Sequence, residues 1–233
     1  MAMRQQLVTD AIVLARTDYQ EADRILTLLT PEQGKVRVIA KGVRKQKSKL
    51  AGGIELLSVS RVSYIPGRGE IGTLVSTQLQ KHYSTIVKHI DRTMLAYELV
   101  KQINKTTEDK LEPVYFEIMH IAFASLDDVA IGAELVRVWF LAQLLSAAGH
   151  QPNLHTTLQG DALQAGKMYD FSYDDMCFSE HPSGGYGADH IKFLRLCFSG
   201  NQPRLLQKVA NIESLVHDVC PLIKTMAASY LRV

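Results

Sequence analysis

The chain has 233 residues, 46% of them hydrophobic and 21% charged, so it can bury a genuine core as one large or two small domains. No stretch reaches the roughly 18 consecutive apolar residues of a membrane span, and Met1 to Thr9 carries one Arg but no apolar leader, so a cytoplasmic protein is expected. The net charge of +2 hides a split: residues 1–81 hold 13 Lys/Arg against 7 Asp/Glu, while residues 82–233 hold 13 against 17, which suggests two surfaces, one of them facing a polyanion.

The first third reads as strands. Leu7 to Ala15 is rich in β-branched and apolar residues, and Ile25 to Thr30 is followed by the turn residues Pro31-Glu32-Gln33-Gly34, giving a hairpin with Lys35 to Lys41. In that last run Val36, Val38 and Ala40 alternate with Lys35, Arg37, Ile39 and Lys41, which sends basic side chains outward. Leu56 to Tyr64 is a fourth strand, broken by Ile65 to Glu70, and Ile71 to Gln80 is a fifth, with Ile71, Val75 and Leu79 on one face. Five short strands with no long helical pattern between them suit a small closed or nearly closed barrel.

After His82 the period becomes helical. Ile86, Ile90, Leu95, Leu99 and Ile103 mark one helix, and Val114 to Leu126 a second beside Pro113. Glu134 to Ala148, apolar nearly all round and stopped by Gly149, belongs in the middle of a bundle. His150 to Gly187 is irregular, with a short strand pair around Met168 to Phe178. Helices resume over Asp189 to Phe198, Gln202 to Val209 and Ile212 to Leu231, the last interrupted or redirected near Pro221. The fold class is therefore α+β, with domains at 1–81 and 82–233 and an irregular insert at 150–187.

Lys41 to Lys49 has five basic residues in nine and no acid, so its charges cannot all be paired locally. Such a loop stays solvated and mobile until it meets an anion, and nucleic acid is the commonest extended polyanion in a cell. A Lys-rich loop can also be only a soluble surface. Here it follows the basic strand face, and Arg61 and Arg68 come from the next strand and turn, so all these residues could form one continuous groove for a phosphate backbone. Aromatic side chains are few. Tyr19 and Tyr64 could stack bases, but packing in the barrel is the expected fate of each.

Catalytic signatures are mostly absent. Gly160 to Met168 imitates a phosphate-binding loop, but its glycine spacing is wrong and Met168 stands where a hydroxyl should hold Mg²⁺. Ser183 to Gly187 reads as a flexible turn. Cys177, Cys197 and Cys220 form neither a CxxC half-site nor a disulfide framework. His150, His155, His181 and His190 lie in the same region as Cys177 but lack the paired spacing of a zinc site, and Asp174-Asp175 reads as solvated acid. No catalytic residue, metal or cofactor is assigned.

The runs Thr9 to Leu14, Asp18 to Thr30, Gly34-Lys35, Ala40 to Lys45 and Ser48 to Gly52, with Gly67-Arg68-Gly69 before the last strand, resemble the N-terminal domain of the bacterial RecO family. That resemblance implies an OB fold for residues 1–81 and a helical partner-docking domain after it. It also implies a non-enzymatic role in DNA repair: binding single- and double-stranded DNA, annealing complementary strands, contacting the C-terminal tail of the single-strand-binding protein SSB, and with RecR loading RecA. Carried over to this chain, DNA contact falls on Lys35, Arg37, Lys41, Arg44, Lys45, Lys47, Lys49, Arg61 and Arg68. Asp23 and Arg24 suit a structural role equally well.

Trp139 to Asn153 is similar to the family's lead-in to a zinc insert, but the two CxxC pairs of many members are missing, which implies that zinc was lost and that packing alone shapes the insert. SSB tails are acidic with an apolar tip, so Lys101, Lys105, Arg137, Lys192 and Arg195 are candidates for the partner side. The competing readings are an RNA-binding OB protein of the translation apparatus, which would prefer RNA, and a metal-dependent nuclease or hydrolase built in the His150 to His190 region.

Overall fold

The computed structural model describes residues 5–106 and 113–231; Met1 to Arg4, part of the segment read for a leader, lie outside the described residues. Five strands, β1 (Leu7–Tyr19), β2 (Asp23–Thr30), β3 (Gly34–Ala40), β4 (Ser58–Ile65) and β5 (Ile71–His82), close into a barrel in the order β1-β2-β3-β5-β4. The β3–β5 pairing is parallel and the others are antiparallel, which is the OB arrangement. Strand alternation turns Leu26, Leu28, Val38, Ala40, Val62 and Tyr64 inward, where they are buried together.

Two sequence-based details of the barrel change. On β5 the core residue is Leu74; Ile71, Val75 and Leu79 are 37%, 43% and 44% exposed, and the register shift between Leu74 and Ser76 keeps the three from sharing one face. β1 runs four residues beyond Ala15, because a bulge between Val13 and Ala15 resets its pairing and lets Arg16 to Tyr19 continue the ladder opposite Leu26 to Asp23.

Two helices share the barrel's compact unit, which ends at Asp127. The helix expected from Ile86 is split: Ile86–Lys88 form a single 3₁₀ turn, and α1 (Ile90–Thr106) starts two residues later. Ile90 is consequently 76% exposed, while Leu95, Leu99 and Ile103 are buried. α2 (Val114–Asp127) returns against α1 and places the Asp127 carboxylate 2.7 Å from the Thr85 backbone N–H and 3.2 Å from that of Ile86. Tyr83, fully buried, packs on Phe123 with ring centroids 5.4 Å apart. The change from strands to helices near residue 81 thus falls inside this unit, and the break between compact units comes at Asp127/Asp128.

The second unit is built on α3 (Ala133–Ala147), whose Leu135, Val136, Trp139 and Phe140 are buried. It packs against α4 (Ala188–Phe198), α5 (Pro203–Leu206) and α6 (Ile212–Tyr230). The interruption expected at Pro221 does not occur. Pro221 lies on the exposed side of α6, where its missing N–H forfeits one intrahelical bond, while Val219, Leu222, Ile223 and Met226 bury the opposite side.

The irregular segment folds into a three-stranded sheet, β6 (Asn153–Thr157), β7 (Tyr169–Ser172) and β8 (Cys177–Glu180), in the order β6-β8-β7. Tyr169 and Phe178 are fully buried, and Phe171 and Tyr186 pack on Phe178 at ring distances of 5.1 and 5.8 Å. Tyr169 and Tyr186 exchange backbone hydrogen bonds of 2.9 and 3.0 Å. Gly184 must be glycine for this approach, since a Cβ there would lie 2.4 Å from the Tyr169 backbone. Among the described residues no helix is long and apolar enough to cross a membrane.

Candidate nucleic-acid interface

The lysine-rich loop leaves the end of β3 and is tied to the barrel at its start by backbone hydrogen bonds. Gly42 takes the left-handed conformation, φ +65°, that its turn requires. Its N–H donates to the Asp23 carboxylate at 2.7 Å, and the Arg44 N–H donates to the Ala22 carbonyl at 3.0 Å, so both bonds join the loop to the β1–β2 turn. Lys45 N–H to Gly42 O (3.1 Å) and Ser48 N–H to Lys45 O (3.0 Å) close two successive turns. Val43, the one β-branched residue of the run, is buried in the barrel core, which contributes about 1.5–3 kcal/mol. The charges therefore ride on fixed backbone, and less conformational entropy is lost when they meet a ligand.

Of the nine residues proposed for DNA contact, Lys41, Lys45, Lys47, Lys49 and Arg68 are exposed, and among the described residues no carboxylate pairs with them. Arg37 lies 3.6 Å from Glu70, Arg44 3.6 Å from Asp18, and Arg61 3.3 Å from Asp10. These pairs are largely exposed and worth roughly 1 kcal/mol or less each, so a phosphate can replace the carboxylate at small cost. Lys35 is spent differently: it is half-buried and donates to the Asn104 carbonyl at 3.1 Å in the last turn of α1, where a cation suits the helix C-terminus.

A single continuous groove through all nine is not what the barrel order gives. Lys41 and Lys45 join Gln20 to Asp23 and Gly42 around a cleft of about 590 Å³ at one end of β3. Lys35 and Arg37 line a separate cleft with the β4–β5 turn, where Arg68 also sits. Arg61 stands outside β4, opposite Asp10 and Gln78, and β5 separates β4 from β3. The Lys41–Lys49 loop with the β1–β2 turn thus gathers four exposed lysines that, among the described residues, have no carboxylate partner, and Glu21 is the acid exposed within its cleft.

Asp23 and Arg24 do structural work. Asp23 holds the Gly42 turn, and Arg24 donates from Nε to Asp18 at 2.8 Å. That bond, assisted by Arg44 nearby, holds the Asp18 carboxyl below its ordinary pKa of 3.8. Tyr64 is buried in the barrel, as expected of it, but Tyr19 is 42% exposed at the end of β1. The sequence reading missed this because it ended the strand at Ala15. The β-branched Thr17 and the aromatic Tyr19, both strand-favouring, ahead of Gln20-Glu21-Ala22 are the signal that could have extended it.

In the second unit the histidines disperse. His150 packs on Tyr230, His181 lies 3.3 Å from Asp170, and His190 accepts the Gly187 N–H at 3.1 Å while facing Asp218 at 3.2 Å. Among the described residues no group of three or more His, Cys, Asp and Glu is gathered where a metal could bind. Burial pushes the Cys177, Cys197 and Cys220 thiols up, away from reactive thiolate. Of the partner-side candidates, Arg195 gives two hydrogen bonds, 2.9 and 2.7 Å, to the Leu154 carbonyl, and Arg137 pairs with Glu134 at 3.1 Å. Lys192 makes an exposed pair with Asp189, and Lys101 and Lys105 are exposed on α1.

Residues 3–83 match the family of recombination protein O N-terminal domains. The chain is 34% identical over 147 residues to DNA repair protein RecO of Dehalococcoides mccartyi, covering 63% of this chain and 57% of that one. It is 28% identical over 182 residues to DNA repair protein RecO of Desulfatibacillum aliphaticivorans (77% and 69%), and 31% identical over 123 residues to that of Listeria welshimeri (53% and 47%). The chain spans about half to two thirds of the length of these relatives. The closed OB barrel lies over these matched residues, so residues 3–83 are similar to recombination protein O N-terminal domains in sequence and carry an OB-type barrel.

Proposed function

We propose that this chain acts in recombinational DNA repair by binding single- and double-stranded DNA, annealing complementary strands and, with RecR, helping to load RecA onto SSB-coated single strands. The observation that carries this reading is the group Lys41, Lys45, Lys47 and Lys49, exposed and, among the described residues, without carboxylate partners, on a loop held by Asp23 and Val43. Four cations held at one end of an OB barrel attract a phosphate backbone and release its counterions. Two strands that repel each other through their phosphates meet more readily once a protein neutralises both, and base pairing then supplies the sequence reading and the driving force. No hydrolysis is required, and the protein acts without catalysis.

On this reading residues 1–81 bind DNA and residues 82–233 dock partners, in the cytoplasm at the nucleoid. Arg137 and Arg195 already hold their own unit together, so of the candidates for the acidic SSB tail Lys192 remains exposed in that unit, and Lys101 and Lys105 are exposed candidates in the other. The test is competition: a labelled DNA strand bound by the protein is challenged with unlabelled DNA or RNA of the same sequence. DNA should compete at least as well as RNA. Preferential displacement by RNA would transfer the barrel to RNA binding, where contacts to the 2′-hydroxyl decide.

A further inference from the structure

The β1–β2 hairpin ends in an exposed aromatic ring directly beside the start of the lysine loop. Tyr19 is the last residue of β1, and its cross-strand partner is Asp23. Directly opposed residues of an antiparallel pair project to the same face, and the Asp23 carboxylate is bound to the Gly42 N–H at 2.7 Å. The Tyr19 ring therefore stands on the side of the hairpin that meets the Gly42 turn. The cleft shared with Lys41 and Lys45 begins at the next residue, Gln20, which turns the chain in a left-handed conformation, φ +52°.

Each element of this corner is fixed. The Tyr19 backbone lies in the strand ladder, Gly42 is held by Asp23, and Lys45 closes its turn on Gly42. A tyrosine has only two side-chain torsions to order, so it offers a flat apolar face at low entropic cost. Glu21 exposes the one carboxylate of the cleft that is not already engaged. Its repulsion steers a phosphate towards Lys41 and Lys45 and leaves the hairpin tip for an uncharged group.

We infer that Tyr19 is a base-stacking platform: Lys41 and Lys45 hold the phosphate backbone of a single strand while one of its unstacked nucleobases lies on the Tyr19 ring. This rests on the DNA-binding reading of the lysine loop and adds to it a residue that separates single strands from duplex. Bases in a duplex are already stacked on their neighbours and offer no free face to the ring, whereas phosphates are available in both forms.

The test uses the full chain and its variants Tyr19→Ala, Tyr19→Phe and Lys41→Glu/Lys45→Glu, each shown to melt like the parent. The probes are an oligothymidylate, a duplex, and a single strand carrying a fluorescent purine analogue that is quenched on stacking. Tyr19→Ala should weaken single-strand binding about tenfold, lose the quenching, and leave duplex affinity and salt dependence unchanged. Tyr19→Phe, which keeps the ring, should retain both affinity and quenching, and the lysine reversal should weaken single strands and duplex alike. Unchanged single-strand binding in Tyr19→Ala, or equal loss on both DNA forms, would overturn the stacking role while the lysine loop stands. Failure of the parent protein to bind either DNA form would instead overturn the functional reading on which it rests.

Discussion

The Asp23 carboxylate and the Gly42 backbone N–H, 2.7 Å apart, connect the β1–β2 turn to the start of the lysine loop. Through this one bond a residue outside the basic run sets the conformation in which that run is presented. Asp23→Ala leaves the Gly42 N–H without its acceptor and should cost about 1–3 kcal/mol of stability, read by urea unfolding, with weaker DNA binding at low denaturant. Asp23→Asn retains a carbonyl oxygen and should lose less of both. Equal stability in Asp23→Ala and the parent would show that the loop holds its shape without this bond.

Charge reversal separates the loop from the paired arginines. Lys45→Glu/Lys47→Glu should weaken DNA binding and lower the slope of log affinity against log salt by roughly two. Arg61→Gln, on a different side of the barrel and already facing Asp10, should change neither appreciably. A double reversal that left the salt slope intact would remove the loop from the interface.

The Asp18 network has a defined pH signature. Its hydrogen bond from Arg24, with Arg44 nearby, holds Asp18 below its ordinary 3.8 in the folded protein. A depressed carboxylate contributes stability above its unfolded pKa and loses it as pH falls through the folded value. Thermal midpoints of the parent should therefore fall more steeply than those of Asp18→Asn as pH drops below about 3.8. Parallel pH profiles would deny the pair any part in stability.

The sheet of the second unit should hold without metal. Its core is Tyr169, Phe171, Phe178 and Tyr186, and Arg195 ties β6 to α4 through the Leu154 carbonyl. Prolonged chelation should leave the melting transition unmoved, whereas Arg195→Ala should lower stability by roughly 1.5–3 kcal/mol, the worth of hydrogen bonds to a charged donor. A transition lowered by chelator and restored by zinc would mean that a metal, and not aromatic packing, holds this segment.

The barrel and the helices were legible because their residues repeat with the period of the backbone: two for Val36, Val38 and Ala40, nearer four for Leu95, Leu99 and Ile103. The same logic misled at β5, where Leu74 fills the core and a register shift beside Val75 breaks the simple alternation that would have put Ile71, Val75 and Leu79 on one face. The sheet around Tyr169 was only half visible. Its β6 pairs in parallel with β8 across an intervening loop and strand, a contact with no local signature.

At the interface, the excess of charge in Lys41 to Lys49 was plain from composition, but its distribution in space was not. Lys35 being consumed by the end of α1, and Arg61 being carried away from β3, depend on strand order, which is a property of the closed barrel and not of any one segment. The loop's fixed shape was hidden for a similar reason: Asp23 and Val43 act through tertiary partners.

The most direct measurement is the rate at which two complementary strands anneal, bare and coated with the cognate SSB, without ATP, in the presence of the parent protein and of Lys45→Glu/Lys47→Glu. Annealing of coated strands should accelerate with the parent and return towards the unassisted rate with the variant. Coated strands that anneal no faster with the parent than alone would contradict a DNA-annealing role for the lysine loop.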